Sequence, residues 1–318
     1  MIQFLISAIC LGMTFLYGST GEILTEKAGH LNLGIPGVMC VGASSGCVAA
    51  AVYFEACGCD RDAMSPFLGV FLPILFALIG GAFMGLLFSF LTVTLRANQN
   101  VTGLTLTTFG VGLSDFMISK VKGEFFATCS PFFTARLPLA SKMGWFGELL
   151  FSHGIMVYLG IAVALVAAFV LRHTRVGLHL RAVGENPATA DAAGINVTAY
   201  RYGATCVGCA IAGLGGLSYI MDYLGGNWEY DIDAMGWLAI ALVIFAIWRP
   251  DIGILGSFVF GGLYILYSRL SLGMAVQEIF KMLPYVVTIV VLIFTSARKK
   301  RETQPPAALG QSYFREDR

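Results

Sequence analysis

Long apolar runs alternate with short polar segments along this chain of 318 residues. Most runs approach or exceed the length that a helix needs to cross a bilayer, about 20 residues. The pattern therefore predicts an all-α, polytopic transmembrane helical bundle with about nine spans. The runs are Met1–Leu24, Pro36–Phe54, Phe67–Leu95, Leu104–Ser119, Leu149–Leu171, Tyr202–Met221, Ala234–Trp248, Ile252–Ser268 and Leu283–Ala297.

The first run carries no charged residue before Glu22, which predicts a membrane helix at the amino terminus. A cleaved signal peptide is the alternative, although the run lacks a basic leading segment and a clear small-residue cleavage site. Residues 1–297 are predicted to form one transmembrane domain. Residues 298–318 are polar and basic, and we predict a disordered cytosolic tail for them.

Composition supports the membrane class. Hydrophobic residues make up 57% of the chain and charged residues only 12%, whereas a soluble domain carries about 25% charged residues. The net charge of +1 argues against nucleic-acid binding, because no basic surface would neutralise phosphates. Most of the eight cysteines lie in apolar runs, where cysteine packs as a small hydrophobe. Cys57 and Cys59 lie in a polar loop, and their oxidation state stays open.

Positive charge predicts the orientation of the bundle. With the amino terminus outside, most of the 20 Lys and Arg residues fall in cytosolic segments, as membrane proteins prefer. The carboxyl terminus is then cytosolic, and so is the polar segment 172–201. The largest predicted outside loop, residues 120–148, is also basic, so the bias is moderate.

Segment 172–201 has the signals of a surface helix between two spans. Asn186 is suited to cap a helix that begins at Pro187, because proline at the first position needs no amide partner. The residues ATADAA favour this helix, and Gly194 can end it in a left-handed conformation. The segment is predicted to bind a cytosolic partner, and an ordinary interhelical loop is the alternative.

Several polar residues near span ends are candidates for a solute path. Gly34, Pro36 and Gly37 interrupt the second run, and an interrupted span is typical of a transport path, although a short interfacial loop explains it equally well. Uncharged polar groups suit a neutral solute, but helix capping and interfacial water are alternatives for them. The candidates are Asn32, Asn98, Gln99, Thr102 and Asp115, with Phe109, Phe116 and Tyr219 as faces for a planar ring.

The sequence lacks the motifs of an enzyme. It contains no GxxxxGK[ST] phosphate loop and no HExxH, and its four histidines are scattered. The one GxSxG match, Gly42–Gly46, lies inside an apolar run. Two transport hypotheses follow: a permease that uses the energy of a separate ATPase, and an ion-coupled carrier without one. A carrier is expected to bury carboxylates in mid-span, and the sequence indicates only Asp115, which lies off-centre.

Four segments resemble the permease subunits of bacterial ABC importers for nucleosides and simple sugars. They are GEILTEKAGHLNLGIPGVMCVGA, LRANQNVTGLTLTTFGVGL, TRVGLHLRAVGENPATADAAGINVTAYRY and FAIWRPDIGILGSFVFGGL. The resemblance extends over most of residues 15–295. It is strongest to purine-nucleoside permeases and weaker to ribose and branched-chain amino acid permeases, which remain alternatives. Pro36 departs from the family, in which a glutamate generally follows LNLGI.

The resemblance implies a multi-pass protein of the bacterial inner membrane with several partners. These are a cytosolic ABC ATPase, a second permease subunit and an extracytoplasmic substrate-binding protein, either lipid-anchored or periplasmic. ATP and Mg would bind the ATPase, so no cofactor is expected on this chain. The resemblance also implies a nucleoside as the solute. The spans offer few basic groups to pair an anion, which favours a neutral solute. The residues expected to contact the ATPase are Arg181, Gly184, Glu185, Asn186, Pro187, Ala190, Asp191 and Gly194.

Overall fold

The computed structural model describes residues 2–136, 144–266, 279–280, 282–298 and 304–314. Every regular element within these ranges is a helix. The α-helices are α1 (Ile2–Lys27), α2 (Ile35–Ala56), α3 (Pro66–Ser89), α4 (Gln99–Ser119), α5 (Gly123–Ala127), α6 (Ser130–Phe133), α7 (Gly144–Phe151), α8 (Ile155–His173), α9 (Arg175–Glu185), α10 (Pro187–Ala192), α11 (Val197–Ser218), α12 (Ile232–Phe245), α13 (Pro250–Ile265) and α14 (Leu283–Arg298).

Six of the described helices are long and apolar enough to cross a membrane: α1, α2, α3, α4, α8 and α11. Three shorter apolar helices, α12, α13 and α14, lie where the remaining spans are predicted. The prediction of a polytopic helical bundle is therefore confirmed, and each predicted run overlaps one of these helices.

Helices α1 and α11 form the centre of the bundle. Helix α11 packs against α1, α2 and α3, while α1 also contacts α8, α12 and α13. Small residues allow the close approach: a Cβ atom on Gly21 would lie 2.2 Å from the carbonyl oxygen of Gly208. Such small-residue contacts are characteristic of membrane helix pairs. Because α1 is buried among other helices, it is an integral part of the bundle.

Helices α3 and α11 end in the same way. Each continues into one π-helical turn, Phe90–Thr94 after α3 and Tyr219–Tyr223 after α11. A residue with positive φ then follows, Arg96 at 57° and Gly225 at 66°. The left-handed conformation is common for glycine and uncommon for arginine, so the backbone at Arg96 is held by its surroundings.

Polar connections meet at two opposite ends of the bundle. At the first, here called the coupling end, Gly184 packs on the carbonyl oxygen of Lys27, and Gln99 accepts a hydrogen bond from the amide of Leu31 (2.8 Å). At the other end, Ser130 donates to the carbonyl oxygen of Met221 (2.8 Å). The predicted cytosolic segments thus share one end, which supports the predicted alternation of spans.

The prediction of a disordered tail is wrong for residues 304–314, which pack on the coupling end. Ala308 is buried, and its amide donates to the carbonyl oxygen of Gly184 (3.0 Å). The tail composition is polar overall, but its Ala307–Ala308–Leu309 segment and Tyr313 supply apolar and hydrogen-bonding contacts. Cys57 and Cys59, in the loop at the other end, are both free thiols.

Candidate coupling surface and solute path

The helix predicted after Asn186 is present as α10. The Asn186 side chain accepts a hydrogen bond from the amide of Thr189 (3.0 Å), Pro187 is the first helical residue, and Gly194 follows with φ +83°. Helix α10 ends at Ala192, one residue before the ATADAA segment does. The preceding helix α9 is strongly amphipathic, and Thr174 caps it through the amide of Gly177 (3.2 Å).

The predicted ATPase-contact residues lie on different faces of α9 and α10. Arg181, Glu185, Asn186 and Gly194 are exposed, while Pro187 and Asp191 are half-buried. Gly184 and Ala190 are buried within this chain.

Ala190 and Gly184 hold the segment to the bundle. Ala190 packs with Val183 and Val197 and is 3% exposed. Ala190 was expected to contact the ATPase, but its buried side chain anchors α10 to the bundle, whereas Ala192 on the same short helix is exposed. The exposed edge of α9 and α10, here called the coupling surface, contains Arg181, Glu185, Asn186, Ala188, Thr189 and Ala192.

Three of the predicted solute-path residues are buried near the coupling end. Asn32 donates to the sulfur of Cys209 (3.3 Å) and accepts from the amide of Gly34 (2.9 Å). Gln99 bonds to the backbone of Leu31, and Thr102 is 6% exposed. In this conformation, these side chains contact other residues of the same chain and do not face an open path.

Asn98 has the capping role that was the alternative for it. Its side chain is exposed and accepts from the amide of Val101 (3.1 Å), at the start of α4. Tyr219 is also not an open face for a ring, because it is buried and donates to Asp231 (2.9 Å). These two residues therefore carry structural roles in the described conformation.

One face of α4 is exposed along the whole helix. The opposite face packs on α2, where a Cβ atom on Gly37 would lie 2.4 Å from the carbonyl oxygen of Leu106. The exposed face, here called the α4 stripe, mixes polar and aromatic residues, and Phe109 and Phe116 are 47% and 61% exposed. The stripe contains Val101, Leu104, Thr105, Thr108, Phe109, Gly112, Asp115 and Phe116.

The α4 stripe is not typical of a lipid-facing surface. Ionisable residues within membrane helices generally face protein or water, because hydrocarbon solvates a carboxylate poorly. Asp115 is exposed within this single chain, and Thr105 and Thr108 line the same face. The stripe therefore has the composition of a surface that meets a second subunit or an aqueous path.

The sequence analysis missed a buried polar cluster between α1 and the loop after it. Glu22 and Glu26 lie one turn apart on α1, and both are buried. Glu22 accepts from the amide of Asn32 (3.0 Å), and Glu26 accepts from the indole Nε1 of Trp248. The i, i+4 spacing of the two glutamates at the end of an apolar run was the available signal.

His30 and Arg201 complete this cluster, here called the buried junction. His30 Nδ1 lies 3.1 Å from the hydroxyl of Thr205, and burial with the nearby Arg201 charge lowers the pKa of His30 to about 3. The histidine is therefore neutral at physiological pH. Asp222, near the other end of α11, is a further buried carboxylate, so Asp115 is not the sole intramembrane acid.

Comparison with known proteins decides the family. The family described as branched-chain amino acid transport system / permease component matches residues 4–292. The chain belongs to this permease family. No solved structure gives a significant match to it.

Three relatives match nearly the whole permease. The nucleoside ABC transporter permease protein NupC of Lactococcus lactis is 32% identical, over 87% of both chains. The guanosine ABC transporter permease protein NupQ of Bacillus subtilis is 30% identical, over 86% of this chain and 85% of its own. The putative glucose ABC transporter permease protein TsgC13 of Haloferax volcanii is 32% identical, over 95% and 94%.

The permease is a multi-pass protein of the cytoplasmic membrane, as its family and its apolar helices show. The four segments that carry the family resemblance all include residues at the coupling end: Lys27, Arg96, the α9–α10 segment and Trp248. Among the described residues, no group of three His, Cys, Asp or Glu side chains could hold a metal ion.

Proposed function

We propose that the permease imports a neutral nucleoside, of the purine type, with energy from ATP hydrolysed by a separate subunit. The observation that carries this proposal is the similarity to NupC and NupQ over more than four-fifths of the chain. ATP and Mg would bind the ATPase subunit, and the permease itself would hold no cofactor.

The α4 stripe supports a neutral solute. Helix α4 contains no Lys or Arg, and a buried anion needs such a partner. Thr105, Thr108 and Asp115 offer hydrogen-bonding groups, while Phe109 and Phe116 offer rings on the same face. Stacking of a base on an aromatic ring contributes about 1–3 kcal/mol in single-stranded nucleic-acid complexes. A nucleoside combines a planar base with hydroxyl groups that match this surface.

The two exposed surfaces suggest where the partners bind. The α4 stripe would face a second permease subunit, with the solute path between the two. The coupling surface, with the exposed Arg181, Glu185 and Ala192, would contact the cytosolic ATPase. An extracytoplasmic binding protein would deliver the solute to the opposite end of the bundle.

Uptake by cells that contain the whole transporter tests the solute. Unlabelled inosine, guanosine, adenosine or uridine should compete with radiolabelled inosine, whereas ribose, glucose and leucine should not. A nucleoside monophosphate should also fail to compete, since its charge would be unpaired on α4. If inosine is not taken up, the nucleoside assignment is wrong.

A sugar is the second candidate because TsgC13 matches as well as NupC does. Glucose and ribose share the hydroxyl groups of a nucleoside but lack its base. Replacing Phe109 with Ala separates the candidates. If the solute is a nucleoside, the variant should take up much less inosine. If the solute is a sugar, its sugar uptake should stay nearly unchanged.

A further inference from the structure

Residues 304–314, here called the strap, lie across the coupling end after the last helix. Their backbone reaches three separate parts of the permease. The amide of Ala308 donates to Gly184 of α9 (3.0 Å), and the amide of Gly310 donates to Gly29 in the loop after α1 (3.2 Å). The carbonyl oxygen of Gln311 then faces α4 and α11.

The Gln311 carbonyl joins two of these helices through one atom. It accepts from Gln99 Nε2 of α4 (3.4 Å) and from Arg201 Nη1 of α11 (3.3 Å). Arg201 is only 2% exposed, and its Nε and Nη2 atoms have no hydrogen-bond partner in the described part of the chain. A buried guanidinium is costly without partners, so its contact with the strap is a significant restraint.

Side chains fix the two ends of the strap to residues 174–196, here called the coupling segment, and to the loop just before α4. The Tyr313 hydroxyl donates to Asp191 of α10 (2.9 Å), and the amide of Ala307 lies 3.4 Å from the Glu185 carboxylate. The Arg96 guanidinium lies over the ring of Phe314, 4.8 Å from its centre. The strap therefore touches both helices of the coupling segment and the start of α4.

We propose that the strap is a positioning element that transmits displacement of α9 and α10 to the loop after α1 and to the start of α4. This inference rests on the proposed function, in which an ATPase moves the coupling surface. The strap bonds to the moving segment through Gly184 and Asp191, and to Gly29 and Gln99 on the other side. The latter region carries Asn32 and leads directly into the α4 stripe.

The test measures coupling, which a merely stabilising tail would not change. The complete transporter is reconstituted in liposomes, and the ATP hydrolysed per inosine imported is determined for three permease chains: the full chain, a chain ending at residue 303 and a control ending at residue 314. The control loses the last four residues but keeps the strap. The chain ending at residue 303 should hydrolyse at least about five times more ATP per inosine, within the range of coupling effects between sites.

An unchanged ratio in the chain ending at residue 303 would overturn the proposal. If that chain fails to assemble, the full-length variant Tyr313→Phe decides, with exposed Tyr230→Phe as its control. Tyr313→Phe should raise the ratio and Tyr230→Phe should not, and equal ratios for the two would overturn the proposal. If the intact transporter imports no inosine, the nucleoside assignment fails and radiolabelled glucose becomes the probe, so the two failures are distinguishable.

Discussion

The coupling segment and the buried junction lie side by side at the coupling end but use their polar residues differently. In the coupling segment, Thr174, Asn186 and Asn196 cap helices through amides three residues away, and most charged side chains stay exposed. In the buried junction, Glu22, Glu26 and His30 are enclosed, and Glu26 and His30 find partners on distant parts of the chain. The first region therefore presents an exposed surface, and the second is an internal joint.

Ala190 and Ala192 lie on the same short helix, but Ala190 is buried and Ala192 is exposed. Substitutions at these two positions should give the largest difference in stability. Ala190→Arg introduces a long charged side chain at a buried position, which should destabilise the permease by at least about 3 kcal/mol. We expect little folded protein in the membrane, measured by detergent-solubilised yield and size-exclusion chromatography. Ala192→Arg is the matched control and should fold normally. Equal yields of the two variants would show that α10 is not anchored as described.

Glu26 tests the hydrogen bonding of the buried junction. Glu26→Leu leaves the Trp248 indole N–H without its acceptor and should reduce stability by about 1–3 kcal/mol, measured as a lower melting temperature. Glu26→Gln keeps an oxygen acceptor of the same length and should cost less. A variant pair with the same melting temperature would show that the indole bond contributes nothing.

His30 gives a smaller, pH-dependent effect. Its pKa is lowered from 6.5 to about 3 in the folded state, so the unfolded chain binds a proton first as the pH falls. Stability from the neutral, buried ring is therefore complete above pH 6.5 and decreases below it, by about 2 kcal/mol at pH 5. His30→Gln should remove this part of the difference in melting temperature between pH 7 and pH 5. An unchanged difference would mean that His30 binds a proton as readily in the folded permease as in the unfolded chain.

The sequence predicted the features that depend on neighbouring residues, such as the positions and ends of helices. Apolar runs located the membrane helices, and Asn186, Pro187 and Gly194 located α10, because capping and helix termination depend on neighbouring residues. Roles that depend on tertiary contacts were less accessible. Whether Ala190 faces a partner or the bundle depends on Val183 and Val197, which approach it only in the fold.

The buried junction and the strap show the same limit. Glu22 and Glu26 look like the polar end of a span until the loop after α1, Trp248 and α11 enclose them. Residues 304–314 have a composition typical of disorder, and their order depends on acceptors and donors contributed by Gly29, Gly184 and Arg201. Neither arrangement has a periodic pattern that a sequence alone displays.

Inosine uptake by the Ala192→Arg transporter tests whether α9 and α10 contact the ATPase. Ala192 lies on the exposed coupling surface, so an arginine there should obstruct the ATPase contact without affecting folding. Permease abundance in the membrane should match that of the parent, the ATPase should no longer co-purify in full amount, and uptake should fall at least about tenfold, which corresponds to about 1.4 kcal/mol of lost coupling. Normal uptake with normal abundance would contradict the assignment of α9 and α10 as the ATPase contact.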